Sequence, residues 1–211
     1  MSNLIKLAIA KGRVFKEAIP LLQAQDIKLV EDPDATRKLI LDTNSKDLQI
    51  IIVRAADVPT YVEYGSADIG IVGKDVLMEY DGNGLYEPID LNIARCQMVL
   101  AEPKQKNITN GRLRIATKYV KTTSNYFARQ GKQVEIIKLY GSMELAPILE
   151  LADQIVDLVD TGNTLKANGL VPVETIANIS SRVIVNKASM KMKNENIKLI
   201  LNKLQRAAEC Q

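Results

Sequence analysis

The 211-residue chain contains no histidine and no tryptophan, and its aromatic side chains are limited to seven tyrosines and two phenylalanines. The lack of histidine excludes a Ser-His-Asp triad, a Cys-His dyad, a histidine-ligated metal and an imidazole acid or base. So few aromatic rings argue against an extended surface for stacking nucleic-acid bases.

Cysteines and long apolar runs are equally scarce. Cys96 and Cys210 lie far apart with no C-x-x-C spacing, so neither a zinc site nor a disulfide framework is predicted. Residues 1–6 lack the features of a signal peptide, and no stretch approaches the roughly 18 apolar residues that a membrane helix needs. We therefore expect a cytoplasmic protein that does not contact a membrane.

The charges are nearly balanced. The chain has 28 basic and 25 acidic residues, and the resulting net charge of +3 is too small to indicate non-specific binding of nucleic acid. Hydrophobic residues make up 46% and charged residues 25%, which is typical of a globular protein.

Short apolar runs alternate with helical patterns along the whole chain. Buried strands are predicted at residues 4–10, 48–53 and 155–159, the last strand at 183–186, and an amphipathic helix at 193–208. This alternation predicts an α/β fold with mostly parallel sheets. Because a polar stretch at 102–112 interrupts the pattern near the midpoint, two lobes with a cleft between them fit the layout.

The most informative segment is D-Q-I-V-D-L-V-D-T-G-N-T-L-K-A-N-G at 153–169. An apolar strand ends in the loop Thr161, Gly162, Asn163 and Thr164, and a helix follows. Backbone amides and two hydroxyls would point into one concavity, and Gly162 allows close approach of a ligand, which is typical of a phosphate site. The same residues also fit an ordinary strand-to-helix turn.

Two carboxylates beside this loop point to a second substrate group. Asp157 and Asp160 would repel a phosphate, but they suit ribose hydroxyls or a hydrated magnesium ion. A sugar phosphate satisfies both halves of the segment.

The pattern D-x-x-D-T-G-N-T-L-x-x-N-G-L is similar to the phosphoribosyl-pyrophosphate loop of the ATP phosphoribosyltransferase family. Six further segments resemble that family in its own order and cover about residues 4–189. They are L-A-I-A-K-G-R at 7–13, E-D-P-D-A-T-R-K-L-I at 31–40, R-A-A-D-V-P-T-Y-V at 54–62, G-S-A-D-I-G-I-V-G-K-D at 65–75, R-I-A-T-K-Y at 114–119 and K-L-Y-G-S-M-E-L-A-P at 138–147.

The resemblance implies two lobes of periplasmic-binding-protein type II, with the active site in the cleft between them. Lobe I would comprise residues 1–92 and 184–211, and lobe II, with the phosphoribosyl-pyrophosphate loop, residues 93–183. The chain ends soon after its last predicted helix, so it looks like the short, catalytic form of the family. That form implies a regulatory partner subunit resembling histidyl-tRNA synthetase, and self-association into dimers.

The implied reaction condenses ATP and 5-phosphoribosyl 1-pyrophosphate to N1-(5-phosphoribosyl)-ATP and pyrophosphate, the first step of histidine biosynthesis. Its nucleophile is a ring nitrogen with a lone pair, so a strong general base is unnecessary, in agreement with a chain without histidine. Mg²⁺ would be carried by the substrate, with no direct protein ligand expected.

The resemblance also implies roles for the lobe II residues. Residues 161–164 would hold the 5-phosphate, and Asp157 and Asp160 the ribose, directly or through magnesium. Glu144 in the segment Tyr-Gly-Ser-x-Glu is assigned to the ribose hydroxyls, although any glutamate in a first helical turn also complements the helix dipole. Asp153 is expected to support the loop.

Four cations in lobe I complete the predicted site. Arg13 and Arg37 are the candidate catalytic residues, which would stabilise the leaving pyrophosphate and orient ATP, because guanidinium forms permanent bidentate contacts with phosphate. Lys11 is a candidate auxiliary charge on ATP or pyrophosphate. Arg54 is a further candidate that would also fit a structural ion pair.

Two other functions remain open at this point. A fold of this type also serves non-catalytic binding modules, although the chain shows no export signal and no helix-turn-helix arm. A different pentosyltransferase would use the same donor loop with another acceptor. The Lys-Gly-Arg and Thr-Arg-Lys segments favour the ATP-specific family.

Overall fold

The computed structural model describes residues 4–105 and 111–209. Within them the chain forms two compact units: residues up to Ala94 and from Ser180 onward make unit 1, and Arg95–Ile179 make unit 2. Cys210 and the middle of the loop predicted at 102–112 lie outside the described residues.

Strands and helices alternate as the sequence predicts. The strands are β1 Ile5–Ala10, β2 Ile40–Asp42, β3 Leu48–Val53, β4 Ile69–Gly73, β5 Leu85–Asp90, β6 Cys96–Pro103, β7 Leu113–Thr117, β8 Val134–Lys138, β9 Gln154–Val159, β10 Leu170–Ile179 and β11 Ser181–Asn186. The helices are α1 Arg13–Ala24, α2 Val58–Glu63, α3 Lys74–Glu79, α4 Val120–Arg129, α5 Leu145–Ile148, α6 Asn163–Ala167, α7 Lys187–Met192 and α8 Asn194–Glu209, with a 3₁₀ turn at Ala55–Asp57 before α2.

Unit 1 is built on a six-stranded sheet in the order β2-β3-β1-β4-β11-β5. β1 pairs in parallel with β3 and β4, whereas β2, β11 and β5 enter antiparallel to their neighbours. Side chains such as Leu7, Ile9 and Ile71 are fully buried in the core that α1 and α8 cover. The carboxyl ends of β1, β3 and β4 therefore meet at one edge, which is the usual place for ligands in α/β sheets.

Unit 2 has a five-stranded sheet in the order β10-β6-β9-β7-β8. β7 pairs in parallel with β8 and β9, whereas β6 is antiparallel to β9 and β10 is antiparallel to β6. Its core includes Val99, Ala116 and Ile155, with Met143 and Leu165 contributed by the segments that follow β8 and β9. Packing of those two segments on one core fixes the loops at the carboxyl edge of this sheet.

The α/β class is confirmed, but the sheets are mixed rather than mostly parallel. Only five residues separate β2 from β3, and a parallel connection needs a dozen or more, so this pair is antiparallel. β10 and β11 are separated by a single residue, and β11 pairs over its whole length in the first sheet. Residues 93–94 and 180–183, predicted in lobe II, belong to unit 1.

No helix in the described part of the chain is both long and apolar enough to cross a membrane.

Candidate functional site

A tight loop connects β9 to α6 at the carboxyl edge of the second sheet. Gly162 has a φ of +76°, the left-handed conformation that glycine adopts without a steric penalty. The N–H of Lys166 donates to its carbonyl at 3.0 Å, which closes the first turn of α6. The Thr-Gly-Asn-Thr sequence thus forms the sharp strand-to-helix turn that the sequence predicts.

All seven residues predicted to bind phosphoribosyl pyrophosphate line one depression of about 220 Å³ in unit 2. They are Glu144, Asp157, Asp160, Thr161, Gly162, Asn163 and Thr164. The first of them lies in the turn immediately before α5, and the others lie on the end of β9, in the loop and at the start of α6. The structure therefore brings together side chains that are separated by up to 20 positions in the sequence.

Burial makes the surroundings of Asp157 unfavourable for its ionised form. Burial is the largest cause and raises the pKa of Asp157, and the negative charge of Glu144 raises it further. Two contributions lower this pKa: the Leu158 N–H, which donates to the Asp157 carboxylate at 2.8 Å, and the positive charge of Lys118. The net result is a pKa above the ordinary value of 3.8. Glu144 lines the same depression as Asp157, and Lys118 follows the neighbouring strand β7 at the same edge of the sheet.

This raised pKa predicts that Asp157→Asn increases the melting temperature at neutral pH. The folded chain holds the Asp157 proton more tightly than the unfolded chain, so the free energy of unfolding falls as pH rises from 3.8 through the raised pKa. Asparagine has no carboxyl proton to release, so it removes this loss of stability, and its side-chain oxygen can still accept a hydrogen bond from the Leu158 N–H. Thermal melting should show a gain that shrinks toward pH 3.8. The exposed Glu135→Gln serves as the control, and a lower Tm for Asp157→Asn at neutral pH would contradict the expectation.

The four predicted cations of unit 1 lie at one edge of the first sheet. Lys11 and Arg54 directly follow the parallel strands β1 and β3, and the Lys11 N–H donates to the Val53 carbonyl at 2.8 Å. Arg37 precedes β2, which begins at the same edge because it is antiparallel to β3, and the Leu39 carbonyl accepts from the Ile52 N–H at 2.8 Å. All of these basic side chains are exposed.

Arg13 begins α1 and is held by a neighbouring glutamate. Its Nε donates to Glu17 Oε1 at 2.8 Å, one helical turn further on, and Glu17 Oε2 accepts from the Ala94 N–H at 2.7 Å. Burial acts to raise the pKa of Glu17. The Ala94 N–H and the Arg13 guanidinium together outweigh burial, so the pKa of Glu17 lies below its ordinary value. Glu17 is not among the residues predicted for the site, although its i, i+4 spacing from Arg13 is a sequence signal for such a pair.

The expectation that Asp153 supports the loop is wrong. Asp153 precedes β9, at the opposite end of that strand from the loop, and accepts from the Arg114 backbone N–H and from Arg114 Nη2, both at 2.8 Å. Arg114 also donates to the Glu150 carbonyl at 2.9 Å. The pair therefore joins the starts of β7 and β9.

Comparison with known proteins places this chain in a family. A family model described as HisG, ATP phosphoribosyltransferase, matches residues 54–206. A protein from Nitrosococcus oceani named ATP phosphoribosyltransferase is 60% identical over 98% of this chain and 97% of its own length. A second with that name, from Alcanivorax borkumensis, is 59% identical over 97% of this chain and 95% of its own.

Solved structures agree with this assignment. A chain of the ATP phosphoribosyl transferase (HisG:HisZ) complex from Thermotoga maritima has a TM-score of 0.85 and 38% identity, over 99% of this chain and 100% of that one. The periplasmic aliphatic sulphonate binding protein SsuA from Escherichia coli has a TM-score of 0.60 over 97% of this chain and 72% of its own. At 12% identity it shows the fold alone, and the predicted periplasmic-binding-protein fold is confirmed. The chain belongs to the ATP phosphoribosyltransferase family.

Proposed function

We propose that this chain transfers the 5-phosphoribosyl group of phosphoribosyl pyrophosphate to N1 of ATP and releases pyrophosphate, the first step of histidine biosynthesis. The observation that carries the proposal is the single depression in which Glu144, Asp157 and the loop 160–164 meet, in a chain 60% identical to named ATP phosphoribosyltransferases. Hydroxyl, amide and carboxylate groups there suit the phosphate and the ribose of one sugar phosphate.

The proposed chemistry depends on positioning and charge. Residues 161–164 hold the 5-phosphate, and Glu144, Asp157 and Asp160 bind the ribose hydroxyls. The N1 lone pair of ATP attacks the anomeric carbon as its bond to pyrophosphate breaks, so negative charge increases on the leaving group. Arg13 and Arg37, with Lys11 as an auxiliary charge, stabilise that pyrophosphate and orient ATP. Arg54, at the same edge, is a further candidate for contact with ATP or pyrophosphate.

The residues present fit a magnesium ion that is bound mainly by the substrate. No group of three or more acidic or cysteine side chains that could enclose a metal occurs within residues 4–105 and 111–209. The closeness of Glu144 and Asp157 suits a hydrated Mg²⁺ on the donor, which keeps several waters and takes one or two carboxylates. Bound there, it would neutralise charge on the pyrophosphate.

We further propose that the chain works with a regulatory subunit. The supporting observation is the Thermotoga maritima structure, whose chain with 38% identity to this one comes from a HisG:HisZ complex. We expect a partner that resembles histidyl-tRNA synthetase, and self-association of this chain into dimers. Because ATP is a substrate, we place the reaction in the cytoplasm.

An absorbance assay tests the proposal. Purified chain is mixed with ATP, phosphoribosyl pyrophosphate, Mg²⁺ and pyrophosphatase, and substitution at N1 changes the ultraviolet absorption of adenine. A rise that requires both substrates supports the function. No rise, alone or with a HisZ-type partner, would contradict it and favour a binding module or a different acceptor.

A further inference from the structure

The depression in unit 2 has an unfavourable charge for the donor that the proposed function assigns to it. Its lining contains the carboxylates of Glu144, Asp157 and Asp160, and among the described residues no lysine or arginine lines it. Phosphoribosyl pyrophosphate is a polyanion, so these carboxylates repel its phosphate groups. A Mg²⁺ ion carried by the donor would offset part of this repulsion, and a cationic side chain beside the depression would offset more of it.

Lys118 follows the middle one of the three parallel strands whose carboxyl ends form this edge of the sheet. It follows β7, which is between β9 and β8, so it is flanked by the loop after β9 and by the segment after β8 that leads to Glu144. Burial raises the pKa of Asp157 most strongly, and the positive charge of Lys118 acts against that rise. The Lys118 side chain is exposed to solvent at the same edge of the sheet as Asp157 and the loop 160–164.

The backbone around Lys118 is held in place by its two neighbours. The fully buried Thr117 donates its hydroxyl to the Val156 carbonyl at 2.7 Å, and the same oxygen accepts from the Tyr119 N–H at 2.9 Å. Lys118 Nζ is 5.4 Å from the centroid of the buried Tyr119 ring, a distance at which a cation–π attraction operates. These contacts fix the backbone at Lys118 and favour a position of its ammonium group over the Tyr119 ring.

We propose that Lys118 binds an anionic oxygen of phosphoribosyl pyrophosphate in this depression and offsets the negative charge of Glu144 and Asp157. The inference rests on the proposed function, from which it takes the donor. The proposed contact is a charge-assisted hydrogen bond from the Lys118 ammonium group to a phosphate oxygen of the donor.

Calorimetric titration of phosphoribosyl pyrophosphate tests this role, with the purified chain alone and with its HisZ-type partner. Lys118→Met keeps the length of the side chain and removes its charge, and we expect Kd to rise roughly tenfold or more. Lys118→Arg keeps the charge and should bind within about threefold of wild type. The matched control is Lys132→Met, an exposed lysine before β8 at the opposite edge of the same sheet, for which Kd should change less than about twofold.

The outcomes separate this inference from the function on which it rests. If wild type binds the donor and Lys118→Met binds it equally well, or if Lys132→Met loses as much affinity, Lys118 has no such role and the proposed function stands. Thermal melting checks that each variant is folded. If wild type neither binds the donor nor forms product with its partner, the proposed function and this inference both fail.

Discussion

Replacing Arg37 by alanine should lower kcat roughly 100- to 1000-fold while changing the Kd of phosphoribosyl pyrophosphate far less. Charge increases on the leaving pyrophosphate as its bond to the ribose breaks, so a guanidinium placed for that charge acts mainly in the transition state. An interaction absent from the ground state appears in kcat rather than in binding. This is the behaviour expected of a cation that stabilises a leaving group.

The surroundings of Arg37 make this substitution easy to interpret. Arg37 is exposed, and it has no hydrogen bond or ion pair with the part of the chain that the structure describes. The neighbouring Lys38, by contrast, pairs with Glu31. Because nothing in unit 1 depends on the Arg37 side chain, its removal should leave the melting temperature within about 1 °C of wild type.

Steady-state kinetics and donor titration together check the prediction. Arg37→Lys keeps the charge but loses the bidentate geometry, so its kcat should fall between wild type and Arg37→Ala. The control is Arg206→Ala, an exposed arginine on α8, which should leave kcat unchanged. Equal losses in kcat and in affinity for the donor would instead show that Arg37 binds the ground state.

Much of the fold could be predicted from local patterns, and the misses have physical causes. β3 was predicted at 48–53 and is found there, because a continuous apolar run identifies a buried strand. β10 is absent from the predicted strands: it is an edge strand with half of its ten residues exposed, it contains Pro172, and two register shifts interrupt its pairing with β6. Strand direction was also mispredicted, because it depends on pairing between distant segments.

The part of the site that lies in one continuous segment could be predicted from the sequence. The loop around Gly162 carries its own turn signal, so its conformation could be predicted from five consecutive residues. Lys118 carries no such signal, because a lone lysine is ordinary until the sheet places it at the same edge as Asp157. Glu17 carries a weaker one, its i, i+4 spacing from Arg13 in α1. The roles assigned to Arg13, Arg37 and the other site residues stay predictions.

The largest effect on stability is expected at Asp68, for which alanine should lower the free energy of unfolding by about 3–5 kcal/mol. Asp68 is buried, and three donors converge on its carboxylate: the Lys6 N–H at 3.0 Å, the Ser189 hydroxyl at 2.7 Å and Lys193 Nζ at 3.0 Å. These contacts connect the start of β1 with α7 and the start of α8. Alanine leaves the Lys6 N–H and the Ser189 hydroxyl without this acceptor in a site that water reaches poorly, and it leaves the Lys193 ammonium with the Leu4 carbonyl, at 2.7 Å, but without its counter-charge.

Thermal melting of a graded series distinguishes this network from a simple loss of packing. Asp68→Ala should lower Tm by roughly 10 °C. Asp68→Asn keeps the shape of the side chain and one acceptor oxygen but loses the charge that pairs with Lys193, so its Tm should lie between those of Asp68→Ala and wild type. Ser189→Ala removes one hydrogen bond and should cost about 1 kcal/mol. Because Asp68 precedes β4, at the edge opposite Lys11 and Arg54, kcat of the folded protein should not change. A Tm for Asp68→Ala within about 2 °C of wild type would mean that water replaces the carboxylate at little cost.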